Sequence, residues 1–250
     1  MFSLFLRPRH SSAQKSVLLT GAAGRIGTAL RQALGEQYHF RCFDRVRIPH
    51  AQDSRVADIT NFKAVRKAMQ GMEAVIHLAA NPDIDQPWQD VYTIGMKGTY
   101  NVFEAARQAG VKQIIYASTI QVSGWNHRAM HGMIDSHQPV HPTSLYAAGK
   151  VFGESLGQVF VKQYGMTIVC LRIGAFADDP RSMDERFAKV WCSPRDLAQL
   201  VQRSLEHTNL GFQVFYAISD NTHRCFDISN AQSLLGYAPQ DNADHFLARD

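Results

Sequence analysis

The chain has 250 residues, with 26 lysines and arginines against 22 aspartates and glutamates, a net charge of +4 with histidine neutral, and 45% hydrophobic residues. That length suits one large α/β domain or one domain with a small appended lobe, and the ordinary composition excludes a disordered, collagen-like or disulfide-scaffold chain. No apolar run approaches the ~20 residues of a membrane span, and the small, scattered basic excess gives no footprint for nucleic acid, so neither is an expected partner. Cys42, Cys170, Cys192 and Cys225 stand far apart without a CxxC pair. They read as buried thiols of a reducing, cytoplasmic compartment, neither a zinc knuckle nor a disulfide frame.

Residues 1–15 are basic and lack any acid, which has the flavour of a short organelle transit leader. Their brevity and Pro8 suit instead a frayed extension ahead of the first strand, and the fold is expected to start near Ser16. From there strand and helix signals alternate. Residues 16–20 (SVLLT) predict a strand ending in glycines, 25–34 a helix stopped by Gly35, 39–44 (HFRCFD) a second strand, and 64–69 part of an amphipathic helix. Further strands are predicted at 74–79 (AVIHLA), 113–119 (QIIYAST) and 167–173 (TIVCLRI), with helices over 98–109 and 146–164 between them. Such alternation implies βαβ units and a doubly wound, Rossmann-type parallel sheet. It predicts a dinucleotide-binding domain over 16–175 and a small, helix-rich substrate lobe over 176–250, in one folding unit.

The turn Thr20-Gly21-Ala22-Ala23-Gly24-Arg25-Ile26-Gly27 follows the first strand and opens the first helix. Gly21 permits the tight bend, Gly24 lets the backbone approach a pyrophosphate, and Gly27 allows close packing of helix on strand. The helix start, through Arg25 and Ile26, then offers unpaired N–H groups to the phosphates. Asp44, ending the next strand, is placed to accept the adenosine ribose hydroxyls and to repel a 2′-phosphate, which favours NAD over NADP. Arg45 is a candidate for stacking on adenine or for softening the preference for NAD. Asp58 and Ile59 are candidates for the adenine edge, with an N-terminal helix cap as the alternative role for Asp58.

Tyr146 and Lys150 stand four apart on a predicted helix and so share a face. A phenol ionises near pH ~10, and a neighbouring ammonium is expected to lower that value and make Tyr146 a general base. Ser118 and Thr119, ending a strand, supply hydroxyls for a substrate oxygen.

With these residues the chain resembles the extended short-chain dehydrogenases/reductases, the NAD-dependent epimerase/dehydratase family, over about 16–150. His77-Leu78-Ala79-Ala80 and Gly98-Thr99-Tyr100-Asn101 are further echoes. The resemblance implies NAD as cofactor, Tyr146 as acid/base, Lys150 as a second ligand of the nicotinamide ribose, and Thr119 in the place of the commoner serine. It also extends the cofactor wall to Leu78, Ala79, Ala80 and Ile173. Gly95 departs from the family, which often has asparagine there. Only 100 residues follow Lys150, which leaves little wall for a nucleotide diphosphate. The elements Leu171-Arg172-Ile173-Gly174, Arg186-Phe187, Trp191 and Ser193-Pro194-Arg195-Asp196 are most similar to uronate and related aldose dehydrogenases, which oxidise an anomeric hydroxyl to a lactone. That resemblance makes Arg186 the candidate anchor of a carboxylate or hydroxyls, with a surface ion pair to Asp184 or Glu185 as the alternative. Ile120-Gln121 replaces the Asn-His of uronate dehydrogenases, which leaves Gln121 as the polar candidate and widens the substrate from a uronate to a small sugar, sugar acid or polyol, an uncharged one included. The family's habit of pairing through two helices implies a homodimer.

His127, His131, His137 and His141 contain HxxxH spacings, a zinc-ligand geometry on a helix. Gly132, Pro139 and Pro142 break the segment, so the expected role is a polar substrate loop without metal. Ser193-x-x-Asp196 has the form of a helix-capping box. Trp88, Trp125 and Trp191 are candidates for a sugar pocket, with core packing as the alternative.

Overall fold

The computed structural model describes residues 14–124 and 132–247, so residues 1–13, Trp125, His127 and His131 lie outside the described residues. Among the described residues nine strands form, in chain order β1 (Lys15–Thr20), β2 (Tyr38–Asp44), β3 (Asp53–Val56), β4 (Ala74–His77), β5 (Gln113–Thr119), β6 (Thr167–Ile173), β7 (Ala175–Phe176), β8 (Trp191–Cys192) and β9 (Phe212–Ala217). Seven make one sheet in the order β3-β2-β1-β4-β5-β6-β9, parallel throughout. The interior strands β4, β5 and β6 are buried along their whole length, which is why they read as near-continuous apolar runs. The expected strand at 74–79 ends at His77, where the chain turns to pass under the glycine bend. The strands β3 and β9 were not predicted.

Helices cover both faces. On one face α1 (Arg25–Leu34), α7 (Pro194–Glu206) and α8 (Ser229–Leu235) bury Leu30, Leu34, Leu197, Leu200, Val201 and Leu235 against Leu19, Ile76, Ile115 and Leu171. On the other, α2 (Phe62–Met69), α4 (Thr99–Gln108) and α5 (Leu145–Tyr164) bury Val65, Met69, Val102, Phe103 and Phe160 against Leu18, Val75, Ile114 and Ile168. The helix starts follow the local chemistry: Asn61 caps α2 by accepting from Ala64 N at 3.2 Å, and Ser144 caps α5 by accepting from Ala147 N at 3.1 Å. At its end α5 stops at Gly165, whose φ of +62° is the left-handed conformation that glycine adopts freely. Ahead of α4 lie one α-turn, α3 (Trp88–Asp90), and a π-helical stretch, Val91–Gly98. Such π insertions recur beside functional sites.

The segment expected as a substrate lobe, 176–250, is divided. Its α7 and β9 belong to the main layers, because the apolar faces of Leu197, Leu200 and Phe215 bury in the same core as β1. Outside the sheet remain the β7–β8 pair, the short α6 (Glu185–Ala188) and α9 (Ala243–Leu247), gathered around Trp191, Ala177 and Phe246. None of the helices among the described residues is long and apolar enough to cross a membrane.

Candidate active site

The connections after β1 and β4 leave the sheet on opposite sides, and in open α/β sheets the crevice at the carboxyl ends of such strands receives the ligand. A cavity of about 810 Å³ opens there. Its wall contains Gly21, Gly24, Arg25, Ile26, Gly27, Asp44, Arg45, Asp58, Ile59, Leu78, Ala79, Ala80, Ser118, Thr119, Tyr146, Lys150 and Ile173. The residues expected along a bound dinucleotide therefore share one wall.

The glycine turn is shaped by contact as much as by φ. Gly21 sits at φ +70°, and a Cβ on it would lie 2.7 Å from Ala79 N. A Cβ on Gly27 would run into the Gly21 carbonyl oxygen and the Ala22 backbone. Gly24 differs, since a Cβ there meets only Gly21 O, at 3.3 Å. That contact is tight but far milder than those at Gly21 and Gly27, and the bare backbone Gly24 leaves on the cavity wall fits a group that must come close, as a pyrophosphate does. Asp44 braces the same turn, accepting from Ala23 N at 2.9 Å and from Val46 N at 3.2 Å. Arg25 donates to Phe176 O at 2.8 Å and stacks on its ring, linking the turn to β7. Asp58 accepts from Thr60 N at 2.8 Å, and the helix cap belongs to Asn61.

Beneath the turn, Thr20 Oγ1 lies 2.7 Å from His77 Nδ1, and His77 Nε2 lies 3.2 Å from Thr99 Oγ1. The imidazole is fully buried, and burial, helped by the Lys150 charge, pushes its pKa down from 6.5 to about 3. It is neutral when folded and takes a proton more readily when unfolded, so its contribution to stability is complete above pH ~6.5 and falls as pH drops toward 3. Denaturant titrations across that range should show the loss, and His77→Gln should flatten it.

Tyr146 and Lys150 lie one turn apart on α5, with the ammonium 5.7 Å from the Tyr146 ring centroid and 5.2 Å from that of Tyr116. Lys150 Nζ donates to Ala117 O at 2.8 Å. The Thr119 hydroxyl hydrogen-bonds the Tyr146 phenol and also accepts from Gln121 N at 3.3 Å. The expected lowering of the phenol is not met. Burial pushes Tyr146 up and its bond to Thr119 only moderates the rise, while burial pushes Lys150 down to about 8. The cause is the dry wall around both groups, which disfavours each charged form.

Side-chain placement decides several further expectations. Ser118 is turned into the core, where its Oγ donates to Glu154 Oε1 at 2.6 Å, so its hydroxyl is committed to protein. Gln121 lies in a 3₁₀ turn, Ile120–Ser123, and is not part of the cavity wall among the described residues. The Arg186 guanidinium is exposed, 3.6 Å from the Asp184 carboxylate and stacked on Phe187, away from the described wall. Trp191 is a core residue whose Nε1 donates to Ala177 O at 2.9 Å. Trp88 stacks on Tyr92 at the surface. Ser193 does cap α7, accepting from Asp196 N at 3.1 Å, while the Asp196 carboxylate receives Gln240 N and Asp241 N instead of closing a box. His137 bonds Asp135 at the surface, and no cluster of three metal-ligating side chains occurs among the described residues.

Sequence reading missed Asn81, Asp90, Gly174 and Phe176, which also belong to the wall. Asn81 donates to Asp90 at 2.9 Å. Gly174 was legible as the residue after Ile173; the loop after Ala80 carries no spacing signal.

The model of the NAD dependent epimerase/dehydratase family matches residues 17–183. A relative named NAD-dependent glucose-6-phosphate dehydrogenase, from Haloferax volcanii, is 35% identical over 92% of this chain and 95% of its own length. The L-arabinose 1-dehydrogenase (NAD(P)(+)) of the same organism is 32% identical over 91% of this chain and 97% of its own. A solved structure of a mutated uronate dehydrogenase superposes with a TM-score of 0.87 at 32% identity, covering 94% of this chain and 85% of that one.

Proposed function

Because the chain belongs to the NAD-dependent epimerase/dehydratase family, we propose that it is an NAD-dependent dehydrogenase that oxidises a hydroxyl of a small sugar, the anomeric one, to give a lactone. One observation carries the reading: Thr119, Tyr146 and Lys150 converge on the wall of a cavity that begins at the glycine turn. Gly24 and the start of α1 would hold the pyrophosphate of the dinucleotide, and Asp44 would hold its adenosine ribose. NAD, when bound, supplies the acceptor for the hydride that leaves the sugar carbon. The protein does the rest. Thr119 and Tyr146 grip the sugar hydroxyl, the phenolate oxygen takes its proton, and Lys150, protonated below pH ~8, holds positive charge within the dry wall to favour that phenolate.

The named relatives act on sugars bearing a phosphate, a carboxylate or neither, so the shared chemistry is oxidation of a sugar ring. The same wall also offers Asn81, Asp90, Ile94 and Phe176, a mixture of hydrogen-bonding and apolar groups that suits a sugar. Mixing the protein with NAD and a panel of free aldoses, uronic acids and sugar phosphates, and following NADH absorbance, tests the reading. Net NADH with a free sugar supports it. Isomerised nucleotide-sugar without net NADH would assign an epimerase, and dinucleotide binding with neither would assign a sensor.

Asp44 should set the choice of cofactor. Asp44→Ser removes the carboxylate that repels a 2′-phosphate and loosens the bond to Ala23 N. The expected result is measurable turnover with NADP and a loss of about 10- to 100-fold in kcat/KM for NAD, the worth of hydrogen bonds to a charged group. Steady-state kinetics with both cofactors checks it.

A further inference from the structure

Asn81 and Asp90 belong to the cavity wall but have no part in the proton and hydride transfers. The loop after β4 is folded to hold them. Asn81 Oδ1 accepts from Asp83 N at 3.1 Å, which turns the amide nitrogen toward Asp90, and Nδ2 donates to Asp90 Oδ2 at 2.9 Å. The Asn81 main-chain carbonyl in turn accepts from Nε2 of the buried Gln86 at 3.2 Å. The carboxylate is thereby held in one orientation. It has about four acceptor positions, of which Asn81 fills one. Its partner is a neutral amide, so the negative charge is not cancelled.

The pair stands close to the reacting groups. Asn81 shares a second, small pocket with Tyr146, Gly149 and Lys150. Val91, which follows Asp90, packs on the same turn of α5, where a Cβ on Gly149 would lie 2.9 Å from Val91 Cγ1. Among the described residues the cavity wall has three cations, Arg25, Arg45 and Lys150. Arg25 is tied to Phe176 O, and Arg45 follows Asp44 at the adenosine end. Lys150 donates to Ala117 O and lies against the Tyr146 ring. Arg186, the guanidinium expected to anchor an anion, pairs with Asp184 away from the described wall.

We propose that Asp90 is a specificity-determining residue of this cavity: its carboxylate accepts hydrogen bonds from hydroxyls of the bound sugar and selects neutral aldoses over sugars that carry an anionic group. The proposal deepens the reading of the cavity as that of a sugar dehydrogenase, and rests on it. A hydroxyl donating to a carboxylate makes a charge-assisted bond, roughly twice as strong as one between neutral groups. An anionic sugar brings like charge against the same oxygens, in a cleft where water screens it poorly. Asn81 is the positioning residue, since an acid already oriented binds without first being ordered.

The test compares each free aldose with the uronic acid and the sugar phosphate of the same configuration, on the intact protein with NAD. The wild type should favour the neutral sugar by about 10-fold or more in kcat/KM. Asp90→Asn keeps the shape and removes the charge, and should lose about 10- to 100-fold with the neutral sugar. With the anionic sugars it should lose less or gain, so the preference narrows, while calorimetric NAD affinity stays intact. Asn81→Leu should raise KM for the neutral sugar and leave kcat near the wild-type value; an unchanged KM would remove the positioning role. A wild type that prefers the anionic sugars, or an Asp90→Asn loss equal for neutral and anionic sugars, would overturn the proposal. If no sugar yields NADH, the dehydrogenase reading fails, and saturation-transfer NMR of the same sugars on the NAD-loaded protein judges Asp90 by itself. Neutral sugars that bind the wild type and are lost in Asp90→Asn uphold its role, and neutral sugars that do not bind end it.

Discussion

Tyr146→Phe should lower kcat by about 10²- to 10⁴-fold, the usual contribution of a positioned acid/base, while NAD binding by calorimetry stays intact. The substitution removes one oxygen and keeps the ring packed under the Lys150 ammonium, so the loss reports chemistry more than folding. The pH dependence has a definite sign. Burial raises the phenol and lowers the lysine to about 8, so phenolate beside ammonium is a minor form of the singly deprotonated pair, and the rate climbs through pH ~8 and declines only well above it. The two apparent values belong to the pair. Full activity in Tyr146→Phe would remove the base from the proposed reaction.

Arg172→Met should cost about 3–5 kcal/mol of stability, because it strands a buried carboxylate. Glu154 and Arg172 are 5% and 3% exposed. They are joined through Arg172 Nε at 3.0 Å and Nη2 at 2.9 Å, with Ser118 Oγ as a third donor to the same carboxylate. On its far side Arg172 reaches Tyr216 Oη at 3.2 Å and Ser136 O at 3.3 Å. Removing both ions together in Glu154→Met/Arg172→Met should cost less than Arg172→Met alone, since no lone charge then remains. Denaturant midpoints of the three variants decide this, and additive losses would refute a coupled pair. The network also fixes the end of β5 and therefore the height of Thr119, so Arg172→Met should depress kcat beyond what its unfolded fraction explains.

The glycine turn, Asp44 and the tyrosine–lysine spacing were legible because each is a local pattern: a bend that only glycine permits, a strand end, and one helical turn. Strands β1, β2, β5 and β6 were legible from apolar runs in the same way. β3 was not, since Asp53, Ser54 and Arg55 give no apolar signal and the strand owes its existence to pairing with β2. β9 had a readable run in FQVFYA, masked by the looser pattern around it. The direction of Tyr146's shift was hidden because burial belongs to the assembled wall, and no spacing reports it. Ser118 and Thr119 are neighbours in sequence, yet one faces Glu154 and the other Tyr146, an alternation that sequence cannot orient without knowing which face carries α5. Glu154 and Arg172 are unremarkable singly and meet only when helix and strand pack.

The outermost strands bear on how crowded molecules behave. A free sheet margin is a template for another chain. On one margin β3 is short and carries Asp53 and Arg55, paired at 2.7 Å, so a foreign strand would meet fixed charges. On the opposite margin, Asn230 Nδ2 donates to Val214 O at 2.9 Å, occupying an acceptor that an intruder would need. Both rims of the sheet are thus guarded against self-association, and the catalytic crevice can sit on a wide parallel platform without that platform becoming a seed for aggregates.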